Sequence, residues 1–102
     1  LLSPDVYVVH VGEQAGRLAL RAAEQWRSAG LAVVYHCGGG NFKSQMKKAD
    51  ASASAYAVIV GDDEAAAGEV SFKPLRGEGE QRRVALDQLA ATLAAALYGD
   101  NA

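Results

Sequence analysis

The sequence predicts an α/β fold, and three observations carry that reading. First, Val6–Val11 (VYVVHV), residues 31–36 (LAVVYH) and residues 56–60 (YAVIV) are short, β-branched and almost continuously apolar, as strands covered on both faces are. Second, the segments between them carry helical periodicity, so the three strands are joined by crossovers and should be parallel and right-handed. Third, the pattern changes after the third strand. Residues 69–75 (EVSFKPL) alternate, and RGEGE before residues 81–86 signals an antiparallel hairpin.

The elements follow in order. After the first strand, Ala15, Leu18, Ala19, Ala22, Trp26 and Ala29 form one helical stripe, with Arg17, Arg21, Glu24 and Arg27 elsewhere and Gly30 as the stop. After the second strand, GGGN opens a helix. Its buried face is expected to be Phe42, Met46, Ala49 and Ala53. The third strand leads into GDDEAAAG, a turn with a helical piece. In the fourth, Val70 and Phe72 share one face, Ser71 and Lys73 the other, with Pro74 near the end. Asp87 can cap a last helix with Leu89, Leu93, Ala96 and Leu97 inward and Gly99 as its stop. A local order 2-1-3 creates a switch point between the first and third strands, and a ligand is expected in the crevice there.

The 102 residues suit one domain, 1–102. Half are hydrophobic and 22% are charged, so bulk disorder is not expected. The net charge of -2 argues mildly against a free-standing nucleic-acid binder. Its distribution is uneven. Residues 38–49 hold three lysines and no acid, whereas residues 61–69 hold four acids and no base. No apolar run is long enough to cross a membrane. The single cysteine, Cys37, allows no internal disulfide, suits a reducing compartment, and is expected to be buried and inert. The start, LLSPD, has no Met and no signal-peptide layout, so a piece of a longer chain is expected.

The stretch GGGNFKSQMKKAD raises the functional question. It is not a P-loop, because Phe42 rather than glycine precedes Lys43 and the stretch follows the second strand. Its glycines permit positive φ and close approach of another backbone. Lys43 and Lys47 stand at i and i+4, with Lys48 beside them. On the residues alone they read first as a solvated basic helix face and, more sharply, as a phosphate-backbone contact. His10 and His36 end neighbouring strands but lack an obvious third ligand for zinc. Asp62, Asp63 and Glu64 could hold magnesium in a phosphate-dependent signalling domain, although the hairpin does not fit that fold.

The span GLAVVYHCGGGNFKSQMKKADASASAYAVIVGDDEAAAGEVSFKPL closely resembles the C-terminal anticodon-binding domain of bacterial histidyl-tRNA synthetases. The carrying pattern is a strand, a glycine-rich entry, a K-x-x-x-K-x-AD helix, a strand ending GDDE, and a V-x-x-K-x-L strand. The likeness runs from Val6 to Tyr98; the synthetases for threonine, proline and glycine share it more loosely. The sequence departs at residues 51–54, ASAS, where a glycine (KSGA-like) is commoner.

The resemblance implies a three-layer α/β/α fold with a five-stranded mixed sheet, order 2-1-3-4-5, strand 4 antiparallel. It implies RNA contacts at His10, Gly40, Asn41, Lys43, Glu64 and Lys73, with Lys47 and Lys48 holding phosphates beside Lys43. Glu64 would accept from guanine N–H groups and Lys73 would donate to carbonyl oxygens of unstacked bases. It implies no catalytic residue, cofactor or metal in this domain. The partners would be the histidine tRNA anticodon loop and a separate catalytic domain of the same chain using ATP and magnesium, in a cytoplasmic homodimer. A non-tRNA regulatory or dimerisation relative of the fold is the other alternative.

Overall fold

The computed structural model describes residues 3–99. The chain forms β1 (Val6–Val11), α1 (Glu13–Ser28), β2 (Val33–Tyr35), α2 (Phe42–Ala51), β3 (Tyr56–Gly61), α3 (Asp62–Ala67), β4 (Glu69–Pro74), β5 (Arg82–Ala85), a 3-10 turn (Leu86–Gln88) and α4 (Leu89–Tyr98). The sheet order is β2-β1-β3-β4-β5. β1 pairs in parallel with β2 and β3, and β4 runs antiparallel to β3 and β5. The expected fold and strand order are therefore observed.

The period-2 alternation of the strands divides the core in two. On one face Val6, Val8, Val58, Val60, Val70 and Phe72 meet Ala15, Ala19, Ala22 and Trp26 of α1 and Leu89 and Leu93 of α4. On the other, Tyr7, Val9, Ala57 and Ile59 meet Ala49 of α2, with Met46 and Leu75 at the margin. The small residues of α1 let the helix lie close to the β-branched strands, and Trp26 fills the space at its C-terminal end. Asp5 ties the start of β1 to two distant segments. Its carboxylate accepts from Ala32 N–H at 2.8 Å and from the Tyr98 hydroxyl at 2.7 Å. That bond, followed by burial and the Asp5 charge, raises the Tyr98 pKa above the ordinary tyrosine value.

Several local expectations need correction. β2 is shorter than residues 31–36 because Leu31 closes the turn after α1, and His36 makes the last bond to β1 through its N–H while its ring bonds within the next loop. The hairpin signal RGEGE lies in a longer loop, 75–81, and β5 spans only Arg82–Ala85. Asp87 sits in the 3-10 turn and makes no cap bond to α4, and Ala96 is exposed. Ala29 is exposed at the end of α1. Cys37 is exposed, because the chain has left the sheet when it reaches it. Its Sγ lies 3.5 Å from Tyr35 O. In α2 the buried positions are Gln45 and Ala49; Phe42 and Ala53 are exposed. The helix is rotated by about one residue from the apolar pattern, and a glutamine takes the innermost place.

Candidate nucleic-acid interface

The expected crevice between the ends of β1 and β3 is filled by the protein itself. Asp62 Oδ1 accepts from Ala15 N–H at 3.0 Å and so caps α1 from a distance. Gly12, with φ 114°, makes room for it: a Cβ there would lie 2.3 Å from Asp62 Oδ1. Glu64 is likewise engaged. Its Oε1 accepts from Gly61 N–H at 3.0 Å and its Oε2 from the Ser71 hydroxyl at 2.8 Å. The acidic run thus serves the termini of two helices, and the magnesium-dependent alternative is not favoured. Among the described residues no group of three or more His, Cys, Asp or Glu is placed to hold a metal ion.

The open space lies on the opposite face, where α2 covers β1 and β3 but leaves β4 and β5 bare. A groove of about 810 Å³ runs between α2 and Lys73 of β4, lined also by Phe42, Lys43, Met46, Lys47, Lys48, Asp50, Ala51 and Gln81. Four of these side chains are lysines, and none has an ion-pair partner among the described residues. The single lining acid, Asp50, is paired with Arg76 at 2.9 Å, which removes its opposition to an anion. Lys73 projects into the groove because alternation along β4 sends it away from the Val70 and Phe72 core. Phe42, 45% exposed, gives the groove an aromatic ring beside its charges. Sequence periodicity assigned that ring to the core. Its place directly after the helix cap, next to Lys43, is the signal for the other reading.

The other candidates fall outside the groove lining. Glu64 stands on the same face as Lys73, since its partner Ser71 is two residues along β4, about 6–7 Å away at Cα. Asn41 caps α2, accepting from Ser44 N–H at 2.9 Å, so one helix N-terminal amide is already satisfied. Gly40, with φ 96°, precedes it, and a Cβ there would lie 2.6 Å from Ser44 Oγ. His10 is on the α1 side of the sheet. Its ring stacks on Tyr35 with centroids 4.5 Å apart. Nε2 donates to His36 O at 2.9 Å, a carbonyl being able only to accept. By the same logic His36 Nε2 donates to Gly39 O, which leaves Nδ1 to accept from the Tyr7 hydroxyl at 2.8 Å. The structure therefore brings Lys43, Lys47, Lys48 and Lys73 together, sets Glu64, Asn41 and Gly40 beside them, and keeps His10 apart. Burial, and secondarily the charge of Cys37, raise the pKa of Tyr7 and of Tyr35, so both phenols stay protonated donors near neutral pH.

Fold and groove together define a small α/β module with an open, cation-lined face suited to a polyanion. The chain belongs to the anticodon-binding domain family, whose pattern matches residues 5–96. It is 68% identical over 98 residues to a histidine–tRNA ligase of Aromatoleum aromaticum, covering 96% of this chain and 22% of that protein. The corresponding protein of Thiobacillus denitrificans is 66% identical over 83 residues, covering 81% of this chain and 20% of that one. The histidyl-tRNA synthetase structure from Nostoc sp. PCC 7120 superposes with a TM-score of 0.85 at 34% identity, covering 94% of this chain and 23% of that chain. The RNA-binding domain of threonyl-tRNA synthetase from Cryptosporidium parvum, at 16% identity and a TM-score of 0.84, shares the fold. The chain thus spans roughly a fifth of the length of the curated relatives it matches. Among the described residues no helix is long and apolar enough to cross a membrane.

Proposed function

We propose that this chain is the anticodon-reading module of a histidine–tRNA ligase. The observation that carries the reading is the convergence of Lys43, Lys47 and Lys48 from α2 with Lys73 from β4 around one groove on the uncovered half of the sheet. In that reading the helix lysines hold anticodon-loop phosphates, which supplies affinity without sequence preference. Lys73 donates to base carbonyls, and Phe42 offers a ring on which an unstacked base can lie. Glu64 has a free lone pair on each engaged oxygen and can accept from a base N–H at the rim. The module performs no chemistry. A separate catalytic domain of the parent chain joins histidine to its tRNA with ATP and magnesium, and the parent acts in the cytoplasm as a homodimer.

The test is a titration of the domain with the anticodon stem-loop of histidine tRNA and with a scrambled loop, repeated for Glu64→Gln. Glutamine can keep both internal bonds, since its carbonyl can still accept from Gly61 N–H and its amide can donate to the Ser71 hydroxyl. The wild type should prefer the cognate loop. Glu64→Gln should lose about 1–3 kcal/mol of that preference while its salt dependence stays. Equal affinity of the wild type for both loops would argue against anticodon reading and for a regulatory or dimerisation relative. An unchanged cognate-to-scrambled ratio in Glu64→Gln would confine Glu64 to capping α3.

A further inference from the structure

We propose that Gln45 is a specificity-determining positioning residue: from beneath the groove it fixes where α2 and the 38–41 loop stand over the sheet, and so the register in which an RNA loop held by the helix lysines presents its bases to Lys73 and Glu64. The inference rests on the RNA-binding reading above. β2 ends at Tyr35, paired with Val8, while β1 continues to Val11. His36 N–H still donates to Val8 O at 3.1 Å, but beyond it the β2-side backbone groups of His10 have no strand partner. The side-chain amide of Gln45 takes that place. Its Oε1 accepts from His10 N–H at 2.9 Å and its Nε2 donates to His10 O at 2.8 Å. In a continued parallel ladder these two bonds would have come from two different residues of β2; here one side-chain amide makes both.

The remaining hydrogen of Nε2 goes to Gly40 O at 2.9 Å. Gln45 is 1% exposed, so this is an interior amide with both of its hydrogens and its oxygen matched. It ties the end of β1, 35 residues away in sequence, to the glycine loop and the first turns of α2. The loop has few arrangements open to it. Gly38, Gly39 and Gly40 all have positive φ, and Gly39 O is held separately by His36. An apolar side chain would fill the same position on the helix but would leave α2 free to slide or roll on the sheet. Lys43 and Lys47 stand two residues to either side of Gln45, roughly 200° around the helix from it. The tether below therefore sets the height and rotation of both lysines above.

The test uses Gln45→Met, which keeps length and removes every bond, and Gln45→Glu, which keeps the acceptor for His10 N–H and loses both donors. In Gln45→Met the far-UV circular dichroism and cooperative melting should persist. The His10 amide should exchange at least about tenfold faster, since its acceptor is gone. The amide resonances of residues 38–41 should shift. The cognate-to-scrambled ratio should fall roughly tenfold, while the salt slope is kept because every lysine remains. Gln45→Glu should protect the His10 amide yet lose the preference, and it carries the test if Gln45→Met does not fold. Displaced loop resonances with full preference for the cognate loop would overturn the proposal, as would unchanged His10 exchange in Gln45→Met. If the wild type shows no preference for the cognate loop, the RNA reading fails instead, and the tether is then decided by His10 exchange and the loop resonances alone.

Discussion

At the residue scale, Ala53 is where local sequence and local backbone conflict. It follows the end of α2 with φ 64°, in the left-handed region that an L residue with a Cβ adopts at a cost of about 1–2 kcal/mol. It also lies in the ASAS segment, residues 51–54, where the resemblance leads to the expectation of a glycine. Ala53→Gly should therefore stabilise the domain by roughly 0.5–1 kcal/mol, the relieved strain less the extra backbone entropy glycine freezes on folding. A denaturant midpoint that rises at constant m-value would bear this out; a midpoint that falls would show the turn to be strain-free. The departure was legible as a missing glycine, but its cost was not, because φ is set by how the chain must re-enter the sheet at Tyr56. Cys37 and Gln45 show the same limit. The pattern of apolar residues assigns a cysteine at a strand end to the interior and a glutamine on a helix to solvent. Tertiary pairing reverses both: β2 stops before Cys37, and unpaired backbone at His10 draws Gln45 inward.

At the element scale, α2 carries the candidate site, and its two faces divide the work. Ala49 and Gln45 face the sheet, while Lys43 and Lys47 share the exposed face at i and i+4. Like charges at that spacing destabilise an isolated helix by a few tenths of a kcal/mol, so a bound polyanion relieves them. Lys43→Ala with Lys47→Ala should weaken binding to cognate and scrambled loops alike. The salt slope should fall by roughly 0.7 for each phosphate that is no longer neutralised. The melting temperature of this variant should not fall, since both side chains are exposed. An unchanged slope would show that these lysines merely solvate the helix. The spacing of the lysines was readable in the sequence because helical geometry alone puts them on one face. The aromatic beside them was not. Phe42, Met46, Ala49 and Ala53 make an apolar series, and only the docking of α2 against Tyr7, Val9 and Ala57 shows that Phe42 lies outside the contact.

At the scale of the whole molecule, the two sides of the sheet have different duties, and the strand order explains why. The right-handed crossovers place α1 on one face and α2 on the other. α4 then returns to the α1 face, so that side is closed by two helices while the α2 side stays half open over β4 and β5. Strand character and parallel order were legible because continuous β-branched runs and helical crossovers dictate them. The position of the open face was not, because it depends on which side the last helix takes. The closed side should therefore dominate stability and the open side binding. Trp26, 2% exposed among Ala22, Leu31 and the strands, is the test of that division. Trp26→Ala deletes the largest side chain of the closed core, and truncations of this kind cost about 3–5 kcal/mol. A domain of this size has a total stability of about 5–15 kcal/mol, so the variant should melt far below the wild type or fail to fold at ambient temperature. Where a folded fraction survives at low temperature, it should keep the salt slope and the preference for the cognate loop, because no groove residue has been touched. A melting temperature within a degree or two of the wild type would show that α1 does not carry the core. Lost selectivity in a fully folded variant would show that the two faces are not independent.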